Sequence, residues 1–233
     1  MQLILIPLAL MICVTTGHTA TAEPSSAKPP TLVAFGDSIT VGYGVNKGLG
    51  WVELLTDRLK KTGNTLAISN AGGNGNTSTQ GMARMNTDVL THMPGLVLVE
   101  FGGNDAAQHV TVDQFEKNLF TIAEKITSKG GSLVFLTFPP VIDEWHKVGK
   151  SPTFATWGGL DQCVEQYREK TRAVAKKLGA RLCDIDVILR KLIKDNGKER
   201  YILKDGVHLT AESNTVVADA IVKFLTEKGK TTR

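Results

Sequence analysis

Short runs of apolar and β-branched residues recur five times along the chain, at residues 31–36, 65–70, 96–101, 132–138 and 181–186. Each reads as a buried strand. The segments between them follow another period: Trp51, Leu54, Leu55, Arg58 and Leu59, then Phe115, Leu119, Ile122 and Ile126, then Val164, Tyr167, Thr171, Val174 and Leu178 repeat at the three- and four-residue spacing of one helix face. Strand and helix therefore alternate. That alternation predicts a mainly parallel five-stranded sheet covered by helices on both faces, a three-layer α/β/α domain over residues 31–233 closed by a helix from residue 211 to about 227.

In sheets of this kind ligands bind outside the carboxyl ends of the strands, so the residues following each run carry the chemical interest. After the first run stands Gly36-Asp37-Ser38-Ile39-Thr40, after the second Asn70-Ala71-Gly72-Gly73-Asn74-Gly75-Asn76-Thr77, and after the third Gly102-Gly103-Asn104-Asp105. Asp205-Gly206-Val207-His208 precedes the last helix. Taken singly, each has an ordinary explanation: Ser38 as a helix cap, Gly75 as a loop glycine, Asn104 and Asp205 as turn residues. Together they supply at one sheet edge a hydroxyl, an imidazole, a carboxylate and amide donors.

The order and the motifs resemble those of the SGNH, or GDSL, hydrolases, with Phe35-Gly36-Asp37-Ser38 as the first block, Gly75 in the second, Gly102-Gly103-Asn104-Asp105 as the third and Asp205 to His208 as the last. The resemblance implies a flavodoxin-like three-layer fold and ester hydrolysis by Ser38 as nucleophile, His208 as base and Asp205 as orienting acid. It further implies an oxyanion hole from the Ser38 and Gly75 N–H groups and the Asn104 amide, with Asp37 and Asp105 bracing the loops. The chemistry is coherent: a serine hydroxyl needs a positioned base, and histidine titrates in the right range to serve. Activity should rise as His208 loses its proton, because only the neutral ring accepts one.

Other chemistries lack their residues. Gly42-Tyr43-Gly44 has no third glycine of a dinucleotide fingerprint, and no glycine loop ends in Lys-Ser or Lys-Thr. His92, His109 and His146 show no metal-ligand spacing, so no metal or cofactor is expected. The net charge of +4 is spread along the chain, which does not point to nucleic acid.

The first 22 residues carry no charged side chain, and residues 3–14 form an apolar run broken by Pro7, too short to span a bilayer comfortably. With Ala20-Thr21-Ala22 before Glu23, this reads as a cleavable export signal, followed by a linker over residues 23–30. Cys163 and Cys183 would then meet an oxidising compartment, but a helix ending near Leu178 and a returning strand separate them by roughly 15 Å, beyond the ~7 Å a disulfide allows. They are expected to be unpaired.

Residues 139–159 form the longest stretch without periodicity and follow the fourth strand, so they should overhang the crevice. Trp145, Phe154 and Trp157 could wall it or stack on a sugar, or simply pack the loop down. Asp143, Glu144, His146, Lys147 and Lys150 make this loop unlike a continuous apolar lid, which favours short acyl groups, acetyl above all, on a small-molecule or polysaccharide ester. Lysophospholipase or thioesterase activity, acyl transfer, and a catalytically silent polysaccharide-binding module are the alternatives.

Overall fold

Five parallel strands form one sheet: β1 (Thr31–Gly36), β2 (Ala67–Gly72), β3 (Pro94–Glu100), β4 (Ser132–Leu136) and β5 (Arg181–Cys183), in the order β2-β1-β3-β4-β5. The computed structural model describes residues 31–63 and 66–226; the leader and linker expected over 1–22 and 23–30 lie outside these residues. Leu32, Val33, Ala34 and Phe35 of β1 and Val97, Leu98 and Val99 of β3 are all buried. Continuous apolar runs of this sort arise because helices cover a parallel sheet on both faces.

Helices connect the strands: α1 (Ser38–Val41), α2 (Trp51–Lys61), α3 (Ser78–Asp88), α4 (Gly103–Ala107), α5 (Val112–Thr127), α6 (Pro152–Ala155), α7 (Leu160–Leu178), α8 (Ile185–Asn196) and α9 (Ala211–Thr226). α2 packs on α9, while α3, α5 and α7 pack side by side. The periodic positions do the packing. Trp51, Leu55 and Leu59, then Phe115, Leu119, Ile122 and Ile126, then Val164, Tyr167, Thr171 and Val174 are buried, whereas Leu178 at its helix end is exposed. Cys163 and Cys183 are both buried and unpaired.

Several boundaries differ from the sequence reading, among them β3, which runs from Pro94 to Glu100 rather than over 96–101. β2 runs to Gly72 rather than stopping at 70, because Asn70, Ala71 and Gly72 pair by main chain with Ala34, Phe35 and Gly36, whatever their low strand propensity. β4 ends at Leu136 and β5 at Cys183. Beyond β5, the Asp184 side chain accepts from the Val187 N–H at 3.3 Å and starts α8, so residues 184–186 begin a helix instead of ending a strand.

From β1 the chain moves outward to β2, then crosses back to β3 on the other side. The order reverses between β1 and β3, which opens a crevice beyond their ends, where Gly36 and Glu100 lie in register.

Candidate active site

Ser38 is the first residue of α1, directly beyond β1, and its side chain is held at the crevice floor by the turn that precedes it. The Asp37 carboxylate accepts from the Ile39 N–H at 2.9 Å, and the Trp51 indole N–H donates to the Ile39 carbonyl at 3.0 Å. Across the crevice, the segment before α9 folds into a turn in which the Leu203 N–H donates to the His208 carbonyl at 2.7 Å and the Gly206 N–H to the Leu203 carbonyl at 2.9 Å. This turn carries His208 and Asp205.

The His208 Nε2 lies 3.0 Å from the Ser38 Oγ, and its Nδ1 lies 2.7 Å from the Asp205 Oδ2. The other Asp205 oxygen accepts from the N–H groups of Val207 and His208, each at 2.9 Å. Burial pushes the Asp205 carboxyl up, but these two N–H groups and the imidazole outweigh it and hold the acid below its usual range. An ionised Asp205 favours the hydrogen on Nδ1, which leaves Nε2 as an acceptor facing the hydroxyl. Tyr43 packs on the imidazole face with ring centroids 4.5 Å apart.

Gly75 and Asn104 line the same cleft as Ser38 and His208. The Ser38 N–H belongs to the first turn of a helix, where no carbonyl of that helix can accept from it. Asn104 donates one amide hydrogen to the Asp37 Oδ2 at 3.0 Å, which turns its Nδ2 toward Ser38's loop and leaves the second hydrogen for a ligand. The loops are laced together beneath. Gln108 donates to the Gly75 carbonyl at 2.8 Å, the Gly73 N–H to the Gly36 carbonyl at 3.0 Å, and Arg84 to the carbonyls of Gly36 at 2.8 Å and Ala71 at 2.7 Å. Asp105, fully buried, accepts from both the N–H and the hydroxyl of Ser78, at 3.0 and 2.5 Å, and so fixes α4 to the start of α3. Asp37 thus bonds the α1 turn and the Asn104 amide, and Asp105 bonds the start of α3.

Burial raises both of these acids. Asp37 is pushed up to about 7 by burial, with the Asp105 charge adding to it and the Ile39 N–H opposing it. Asp105 is pushed up to about 6 by burial against its bonds to Ser78.

Residues 34–216 match the family model described as GDSL-like lipase/acylhydrolase. The chain belongs to this family. It is a carboxylic ester hydrolase, and its fold and motif blocks are those of the GDSL hydrolases. It is 36% identical to Esterase TesA of Pseudomonas aeruginosa over 110 residues, a match that spans 47% of this chain and only 55% of that enzyme. It is 26% identical to the thioesterase 1/protease 1/lysophospholipase L1 of Escherichia coli K12 over 200 residues, 86% of this chain and 85% of that protein. A solved acetyl xylan esterase, AlAXEase, superposes with a TM-score of 0.70 at 28% identity, covering 84% of this chain and 99% of that one.

The cleft of this GDSL hydrolase encloses about 700 Å³. Phe138, Val141, Leu160 and Val164 give it an apolar wall, and Trp145, His146, Lys147 and Val148 form its rim. Of the three loop aromatics, only Trp145 lines the cleft; its ring lies under Lys204 at 4.0 Å and Lys198 at 5.0 Å, and Lys198 is itself paired with Glu144. Phe154 is buried in the core and stacks on His109 at 5.8 Å, and Trp157 is about half exposed away from the cleft. Loop aromatics share a composition but not a direction, which no periodicity encodes. The rim is tethered to the His208 turn by the Ile142 N–H, which donates to the Gly206 carbonyl at 2.8 Å.

Three residues of the GDSL hydrolase site escaped the sequence reading. Tyr43 enters that reading only through an incomplete glycine motif, and His146 only as a polar residue of the 139–159 loop and a histidine without metal-ligand spacing, neither as a neighbour of the reacting groups. Glu100 is the third: it ends β3 beneath the site, 1% exposed. A charged residue inside an otherwise apolar run is a signal that could have found it. No described helix is long and apolar enough to cross a membrane.

Proposed function

We propose that this hydrolase is an exported serine esterase that removes short acyl groups, acetyl among them, from small-molecule or polysaccharide esters. The observation that carries the reading is the chain of contacts from Ser38 Oγ through His208 to Asp205, at 3.0 and 2.7 Å, opening on a cleft that also holds Asn104 and Gly75. Ser38 attacks the ester carbonyl as His208 Nε2 takes its proton, and the same proton then passes to the departing alcohol. Asp205 stabilises the imidazolium in between. A water activated by His208 releases the acyl group from Ser38 and restores the hydroxyl. The oxyanion of each tetrahedral state is met by the N–H groups of Ser38 and Gly75 and by the Asn104 amide, and loss of one such donor costs about 100- to 1000-fold in rate.

Short chains are favoured by the polar rim of His146 and Lys147, and by the similarity to a solved acetyl xylan esterase. Export is supported by the leader-like first 22 residues. The apolar wall of Phe138, Val141, Leu160 and Val164 favours a second reading, in which a longer acyl chain lies along it as in a lysophospholipase or thioesterase. One set of assays decides: fluorophosphonate labelling of wild type and Ser38→Ala, then turnover of p-nitrophenyl esters of increasing chain length beside acetylated xylan. Labelling and turnover should both vanish in Ser38→Ala, with wild-type kcat/KM greatest for acetate. An active Ser38→Ala protein refutes the esterase mechanism, and a maximum at long chains selects the second reading.

A further inference from the structure

Glu100 takes no part in the reaction as described, yet it lies directly beneath the reacting groups. It ends β3 opposite Gly36, buried in an otherwise apolar strand. The Thr40 hydroxyl donates to its Oε2 at 3.1 Å, while no donor reaches its Oε1. A Cβ on Gly36 would come within 2.9 Å of Oε2 and 2.6 Å of the Glu100 carbonyl oxygen, so the residue preceding Asp37 must be glycine for this carboxyl to fit. Its other neighbour is Asp37, whose N–H and carboxyl both lie within hydrogen-bonding reach of it. Asp37 has one oxygen on the Ile39 N–H and the other on the Asn104 amide.

Two carboxylates in contact and out of water cannot both stay ionised; one keeps a proton and shares it with the other in a hydrogen bond. The Thr40 hydroxyl and the Asp37 N–H favour an ionised Glu100, but burial outweighs them. Asp105, on α4, adds a further negative group, and Arg84, reaching in from α3, spends its guanidinium on the carbonyls of Gly36 and Ala71 and on the side chains of Asn76 and Asp88. We propose that Glu100 is a positioning residue for acyl transfer: as the neutral acid it keeps its proton and donates a hydrogen bond through it to Asp37, and the Asp37 carboxylate so held aims the Asn104 amide at the oxyanion. In the same sense, burial first and the Asp37 charge second raise the Glu100 carboxyl well above its ordinary range. The pair also explains the unpartnered Oε1, since a neutral carboxyl uses one oxygen as a donor.

This inference rests on the esterase reading above, and its test separates the two. Glu100→Gln keeps the shape and supplies an N–H for Asp37 and a carbonyl for the Thr40 hydroxyl; Glu100→Leu fills the space with no donor. With p-nitrophenyl acetate, Glu100→Leu should lose about 30- to 1000-fold in kcat at little cost in KM, up to the value of one oxyanion donor, and Glu100→Gln should recover all but about fivefold. Toward alkaline pH the wild type should lose kcat as the pair gives up its proton, while Glu100→Gln, with none to give, holds its rate. The infrared difference between wild type and Glu100→Gln at neutral pH should contain the C=O band of a neutral carboxyl. Equal kcat losses in the Gln and Leu variants, superimposable alkaline profiles, or absence of that band each overturn the proposal. If Glu100→Leu does not fold, the profile and the band decide. Turnover that survives in Ser38→Ala defeats the esterase reading itself, whereas an inert Ser38→Ala beside any of the three adverse results defeats only the role of Glu100.

Discussion

Replacing Asp205 by Asn changes one atom of the side chain, and the turn around it dictates where that atom goes. Asp205 Oδ1 accepts from two backbone N–H groups at 2.9 Å, so the Asn carbonyl must occupy that place and its NH2 must face the His208 Nδ1, 2.7 Å away. The amide then donates to Nδ1. The ring is left with its hydrogen on Nε2, aimed at the Ser38 oxygen 3.0 Å distant, and can no longer take a proton from it. Charge is lost as well. A carboxylate and an imidazolium with centres ~4 Å apart attract by ~1 kcal/mol in water and ~4 kcal/mol at the effective dielectric near a protein surface. The Asp205 side chain, 43% exposed, lies between these limits, which alone corresponds to a loss of roughly 5- to 1000-fold. With the wrong tautomer added, kcat should fall by about 1,000- to 10,000-fold. Stopped-flow acylation with p-nitrophenyl acetate, alongside circular dichroism to check folding, measures it directly. A folded Asp205→Asn protein within tenfold of wild type would refute both the tautomer argument and the assignment of this carboxylate.

Other perturbations test the supports of the site. Arg168 is fully buried, donates to the Phe138 and Pro139 carbonyls at 2.9 and 2.7 Å, and pairs with Asp161, Glu165 and Asp186. Arg168→Met should cost about 3 kcal/mol in urea unfolding, the lower end for a broken buried pair because Arg172 and Arg190 still face Asp186; a loss below about 1 kcal/mol contradicts this. In Gly72→Ala the new Cβ would come within 2.6 Å of the Val41 nitrogen and 2.9 Å of the Asp37 carbonyl, so α1 must move; kcat should drop by about 10- to 100-fold, and an unchanged kcat rules out that displacement. Stability should also report on Glu100. A carboxyl raised on folding costs nothing below its ordinary value of 4.5 and destabilises progressively as pH rises toward its folded value, so the melting temperature of Glu100→Gln relative to wild type should climb with pH above 4.5; a constant difference argues against a raised Glu100.

Much of this molecule is readable along the chain for a physical reason: a parallel sheet with both faces covered must be made of unbroken apolar runs, and its crevice must follow their carboxyl ends. Ser38, Gly75 and Asn104 were marked by following strand runs, Asp205 and His208 by the motif that precedes the last helix, and all five line the one cleft. What escaped was set by three-dimensional partners. Asn70 to Gly72 have turn-forming side chains yet complete an edge strand, because β1 offers them a main-chain ladder. Trp145, Phe154 and Trp157 are chemically alike, but packing sends one to the cleft, one to the core and one to solvent. Glu100 hid inside a hydrophobic run, since its importance depends on Asp37, 63 positions earlier in the sequence.

The Ile142 N–H joins the cleft rim to the Gly206 peptide, two residues from His208. Under the proposed mechanism, an alcohol moiety too bulky for the rim would strain the turn that holds the imidazole, so misfit would be felt as slow turnover more than as weak grip. Rim and His208 turn thus share one main-chain tie, so a variant remodelled in this loop would also have to find another prop for its histidine.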